Sequence, residues 1–257
     1  MKRIFLVLAA TALLALPTSA SAITDGELDN GRHPHVGLMV AENAAGQALW
    51  RCSGTLISPT VFVTAGHCTE SPAAQAEVWF TDNVESGIPG NGYPNNGEVH
   101  GTTHTHPQYD PNAFFLFDLG IVVLDEPVTG VDYADLPTLN QLDSLKPSSK
   151  TTFTAVGYGL QNANRNHTDA RRIKMLARPH LVQINTGFVG DFSIMLSNNA
   201  HTGGTCFGDS GGANFLGSSN TLAGVTSYGL NTECAGTGGV YRIDKADDLN
   251  WINTFLD

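Results

Sequence analysis

Charged side chains are scarce in this chain of 257 residues, at 14%, and basic ones are scarcest: 13 Lys and Arg face 24 Asp and Glu, for a formal net charge of −11. A surface so poor in cations lacks the means to neutralise phosphates or anionic headgroups, which argues against nucleic acid and membrane as partners. Cysteine is sparse as well. The four present include no C-x-x-C spacing, which argues against a structural zinc site. Beyond residue 22 no apolar run approaches the roughly 20 residues that a membrane-spanning helix needs. There is no internal repeat and no long low-complexity tract.

What is present begins with Met1–Ala22. Lys2 and Arg3 precede an apolar run, Ile4 to Leu16, and Ala20-Ser21-Ala22 offers small residues at the right spacing for cleavage. The expectation is a secretory signal and an extracellular protein. Those residues hold two of the basic side chains and no acid, so the remainder is more acidic still. All four cysteines follow the signal, which suits an oxidising compartment. The residues alone leave three pairings open.

The rest of the chain is punctuated by short runs of Val, Ile, Thr and aromatics. In the first half they cover 36–41, 54–57, 61–64, 76–80 and 119–124. In the second they cover 151–158, 173–176, 192–196, 221–227 and 239–243. Gly, Pro, Asn and Asp separate them, an all-β pattern of sandwich or barrel type. Residues 125–150, rich in turn formers and acids, read as a connector, and 84–97 as a surface loop. Leu249, Ile252, Asn253 and Leu256 recur at helical spacing, which predicts a terminal helix over 245–256.

Chemistry is concentrated in Gly208-Asp209-Ser210-Gly211-Gly212. Three glycines allow a sharp turn that leaves the amides of Gly208 and Ser210 free to face one point, where an oxyanion would form if Ser210 attacked a carbonyl. A serine needs a base and a group to orient that base. Thr64-Ala65-Gly66-His67-Cys68, after the apolar Val61-Phe62-Val63, supplies a histidine. Asp118, heading Leu119 to Leu124, supplies a carboxylate, whereas Asp110 beside Pro107 and Pro111 reads as a turn residue. The pentapeptide also satisfies G-x-S-x-G, the nucleophile turn of α/β-hydrolases, whose histidine follows the serine. No histidine follows His201, so that reading fails. His100, His104 and His106 read as an exposed loop cluster and not as a metal site.

These three segments resemble those of the chymotrypsin-like (trypsin-fold) serine peptidases. The resemblance covers nearly all of 23–257 and implies two six-stranded antiparallel barrels with a short C-terminal helix. The first barrel would take about 23–125, the connector 126–150, the second barrel 151–244 and the helix 245–257. It implies His67 as general base, Asp118 as its orienter, Ser210 as nucleophile, and Gly208 and Ser210 as the oxyanion hole. It implies the pairs Cys52–Cys68 and Cys206–Cys234. Asp209 would pair with the ammonium of Ile23, freed directly by removal of the signal, because Ile23-Thr24-Asp25-Gly26 resembles a mature start. Ser227 would bind Asp118 and, with Tyr228, pair with substrate.

Gly204 would form the base of the specificity pocket, beside Thr205, with Gly229 and Gly239 as open walls. Without a basal acid that pocket suits an apolar, bulky residue before the cleaved bond. Glu233 could turn into it and favour a basic one. The expected partners are protein or peptide substrates of a monomeric enzyme without metal or organic cofactor, although acids and amides over 81–98 could host calcium. The competing expectation is a non-catalytic secreted binding module on the same scaffold. Asn166-His167-Thr168 is a glycosylation acceptor in a eukaryotic host.

Overall fold

A computed structural model describes residues 23–164 and 167–256. The expected signal over 1–22 and the acceptor Asn166 lie outside the described residues. Twelve strands close into two antiparallel barrels of six. The first holds β1 (Val36–Glu42), β2 (Ala48–Leu56), β3 (Val61–Thr64), β4 (Gln75–Trp79), β5 (Val99–Thr105) and β6 (Gly120–Leu124). The second holds β7 (Ser148–Gly157), β8 (His180–Ile184), β9 (Ser193–Asn198), β10 (Ala213–Leu216), β11 (Leu222–Gly229) and β12 (Gly236–Arg242).

The first barrel runs β1-β2-β3-β6-β5-β4 and closes by pairing β4 with β1. The second runs β7-β8-β9-β12-β11-β10 and closes by pairing β10 with β7. The two orders are the same permutation. A turn of helix, α1 (Gly66–Thr69), follows β3, and α2 (Ala246–Asn253) ends the fold inside the range expected for it.

Side chains alternate between the two faces of a strand. In β1, Met39 and Ala41 pack with Cys52, Val63 and Ile121, while Leu38 and Val40 face the other way, under Trp79, Val84 and Tyr158. The larger cluster continues through Phe215, Val225 and Tyr241, so one apolar core spans both barrels. The connector is pinned, not loose: Leu142 N–H donates to Asp244 at 2.8 Å, and the buried Arg242 bridges Asp143 and Asp244 at 2.7 Å each.

The sequence pattern leads to five strands in each half, but the expected 173–176 falls outside the second barrel, as the short strand Met175–Ala177 paired with β7. Three barrel segments, 99–105, 180–184 and 213–216, were not expected as strands. The first corrects the histidine reading. His100 and His104 lie on β5 and not in a loop. His100 pairs with Asp125 at 2.7 Å and His104 rests on Phe255. His106 is buried, stacked on Phe117 and set edge-on to Trp251.

Candidate active site

His67 sits on α1 where β3 turns, and Cys52–Cys68 ties that turn back to β2. Asp118 lies just before β6, the neighbour of β3, and is fully buried. The pairing of these two strands therefore brings histidine and carboxylate together. Asp118 Oδ1 accepts from the backbone N–H of His67 at 2.9 Å, and Oδ2 faces Nδ1 of the ring at 3.0 Å. Ser227, on β11 of the other barrel, donates its hydroxyl to Oδ2 at 2.5 Å. With Nδ1–H turned to Asp118, the neutral ring keeps an acceptor lone pair at Nε2. Burial opposes the charged imidazolium, but the charge and hydrogen bond of Asp118 outweigh it, so the His67 pKa is raised above its ordinary value.

Ser210 lines the same cleft as His67. The turn that holds it depends on glycine at two points: Gly208 has φ +92° and Gly211 +76°, a region that L side chains rarely adopt. Around it, the amides of Asp209, Gly211 and Gly212 donate to the carbonyls of Cys206, Thr226 and Asp209. Among the described residues, the amides of Gly208 and Ser210 have no protein acceptor.

Asp209 is fully buried behind the turn. Its oxygens accept from Gly159 N–H at 2.7 Å and Cys206 N–H at 2.9 Å. Burial pushes its carboxyl up to about 7, against the pull of those two amides and of the Arg51 charge. A Cβ at Gly157 or Gly159 would come within 2.3 or 2.5 Å of that side chain, so the two glycines make its room. Ile23 is completely buried, packed with Ala155 of the second barrel and with Met175 and Ala177 beside it, and Thr24 next to it bridges to Gly204.

A histidine held by a buried carboxylate, a serine in a glycine turn and two unclaimed amides at that turn all stand in the seam of two barrels. A profile of the family described as Trypsin matches residues 27–252. The chain belongs to the trypsin family. It is 30% identical over 202 residues to Trypsin of Saccharopolyspora erythraea, covering 74% of this chain and 80% of that one. Against Serine protease Hayan of Drosophila melanogaster it is 28% identical over 54% of this chain, which spans 21% of that longer protein. HL collagenase, a solved structure, superposes with a TM-score of 0.68 at 20% identity, over 90% of this chain and 97% of that one, a likeness of fold.

The cleft of this trypsin-family chain encloses about 310 Å³. Thr205, Phe207, Ser227, Tyr228, Gly229 and the Cys206–Cys234 disulfide contribute to its wall. Gly204 and Gly239 do not. A Cβ at Gly204 would fall 2.2 Å from the side chain of Asn198, which reaches in from β9 and donates to Thr205 O. Gly239 seats the ring of Tyr228, whose atoms lie 2.3 Å from where its Cβ would be. Both glycines thus support the wall from behind. Glu233 is exposed and borders a separate polar hollow with Thr24, Asp25 and Gln161. Asp110 is a turn residue, accepting from Asn112 N–H at 2.8 Å.

In the 81–98 loop the acids have partners within the chain. Asp82 pairs with Lys174, Glu85 with Arg172, and Glu98 accepts from the amides of Phe80 and Thr81. The feature that sequence reasoning missed is aromatic. Phe114 and Phe188, from two separate loops, meet Tyr228 edge-on at 6.2 and 5.9 Å, with Phe115 between them. Phe114 and Phe188 are 44% and 55% exposed, so this shelf beside the cleft is open to a ligand. The run Ala113-Phe114-Phe115-Leu116-Phe117 ahead of Asp118 was the signal available in the sequence.

Proposed function

We propose that this chain is a secreted serine endopeptidase that cleaves peptide bonds through an acyl-enzyme. The observation that carries the reading is Asp118, whose buried carboxylate takes both N–H groups of His67 and the Ser227 hydroxyl while His67 and Ser210 line one cleft. His67 Nε2 takes the Ser210 proton as Oγ attacks the scissile carbonyl. The tetrahedral oxyanion is held by the amides of Gly208 and Ser210, which have no competing acceptor among the described residues. His67 then gives its proton to the departing amine, the C–N bond breaks, and the acyl group stays on Ser210. Water, deprotonated by His67, attacks the ester and returns the enzyme.

Among the described residues no carboxylate lines the cleft. That favours an apolar residue before the cleaved bond, and the aromatic shelf favours further apolar side chains upstream of it. The active form begins at Ile23, whose ammonium pairs with Asp209. This is supported by the burial of Ile23 and by an Asp209 carboxyl that burial leaves in need of a cation.

A biotinylated alkyl fluorophosphonate tests the central claim. Ser210 should be labelled in the folded protein, with hydrolysis of a peptide substrate lost in step. A folded protein that leaves Ser210 unlabelled would favour the binding module.

A further inference from the structure

Ser53 lies on β2, in the first barrel, and is fully buried against the nucleophile turn of the second. Its hydroxyl accepts from Tyr158 N–H at 3.0 Å and donates to the carbonyl of Gly208 at 3.0 Å. Its backbone N–H donates to the carbonyl of Ser210 at 2.8 Å. One residue therefore grips the carbonyls on both sides of Asp209. Ser53 is itself fixed, because its own carbonyl accepts from the Thr64 hydroxyl at 2.8 Å.

Gly208 has φ +92°, and a glycine there has no Cβ to hold its neighbouring peptide planes. Something else must set the direction of its N–H. On one side, Asp209 is anchored through its carboxylate to Gly159 and Cys206. Between that anchor and the Gly208 amide, the group that meets the Gly208 carbonyl is the Ser53 hydroxyl. From this geometry we infer that Ser53 is a positioning residue for catalysis: its hydroxyl holds the Gly208–Asp209 peptide so that the Gly208 amide points at the developing oxyanion. This rests on the peptidase reading above. The role belongs to the hydroxyl and not to packing, since it has one donor and one acceptor contact and both are to backbone.

A donor pre-aimed at the oxyanion acts on the transition state more than on bound substrate. Ser53→Ala should therefore lower kcat about 10-fold, less than the roughly 10²–10³-fold typical of losing an oxyanion donor outright, with KM within about 2-fold. Affinity for a peptidyl trifluoromethyl ketone, whose carbonyl carbon takes Ser210 Oγ and whose oxygen becomes the oxyanion, should fall by the same factor. Affinity for the matching peptide acid should not change. Ser53→Thr, which keeps the hydroxyl, should restore kcat. Should Ser53→Ala fail to fold, Ser53→Gly removes the same hydroxyl while leaving space for water at Tyr158 N–H, and the same losses are expected. An active wild type with a hydroxyl-free variant that matches it in kcat and ketone affinity overturns the inference alone. A folded wild type inert to both peptide and phosphonate overturns the peptidase reading and this inference with it.

Discussion

Asp118 meets His67 twice, at the backbone N–H and at the ring, so the carboxylate fixes both where the histidine sits and which way its ring faces. Asp118→Asn keeps the shape but offers an N–H where an acceptor is needed, which turns the ring to the wrong tautomer. The expected result is a fall in kcat of about 10⁴-fold, of the size known for this exchange in Ser-His-Asp triads. Steady-state kinetics at neutral pH check it, with KM expected to move little.

The acid limb of activity follows from the same pair. His67 must be neutral to accept the Ser210 proton, and its pKa is raised by Asp118 in spite of burial. kcat/KM should therefore rise through a midpoint above about 6.5, the reference value for histidine. With the proposed start at Ile23, an alkaline limb should follow as its ammonium, of reference pKa about 8, loses its charge. Acetylating that amine should abolish activity. A profile flat into strong alkali, with the fold intact, would count against the ion pair of Ile23 and Asp209.

Substrate preference tests the cleft and the shelf separately. Among peptides varied only before the cleaved bond, phenylalanine and leucine should outrank arginine and glutamate. Phe114→Ala and Phe188→Ala should each raise KM several-fold for substrates with apolar residues upstream, since an open shelf recovers only part of the about 1.5–3 kcal/mol that full burial of such a side chain is worth. Single-residue ester substrates should be unaffected. A strong arginine preference would refute the apolar assignment.

His35 gives a stability prediction away from the site. It is buried edge-on to Phe215, and neither ring nitrogen has a hydrogen-bond partner among the described residues. Burial, with the nearby charges of His33 and Lys174, pushes its pKa down to about 4, while Asp29 and Asp132 oppose them. The unfolded chain protonates near 6.5 and the folded one only near 4, so the unfolded state binds the extra proton in between. Stability should hold above about pH 6.5 and fall toward pH 4, by about 3 kcal/mol for that difference in pKa. Urea midpoints from pH 8 to 4 should fall less steeply for His35→Phe than for the wild type.

Much of the fold was legible because β-branched runs between turn formers announce strands. Where that composition failed, so did the reading: Val99-His100-Gly101-Thr102-Thr103-His104-Thr105 pairs on both sides, yet its histidines suggested a loop. His67, Asp118 and Ser210 were legible because each is set in a short local pattern. The wall of the cleft was not, because it is made by distant residues acting on one another. Asn198 from β9 fills the space behind Gly204, and Phe114 and Phe188 meet Tyr228 from unrelated loops. Ser53 escaped notice for the same reason, since nothing near it in the chain marks it apart from other strand serines.

Asp118 draws one partner from each half of the molecule, His67 from the first barrel and Ser227 from the second. A dry carboxylate that loses a hydrogen-bond partner is strongly destabilised. Removing the Ser227 hydroxyl while Asp118 stays buried would place that penalty on the group that holds the histidine. The joining of the two barrels and the setting of the histidine thus converge on a single side chain.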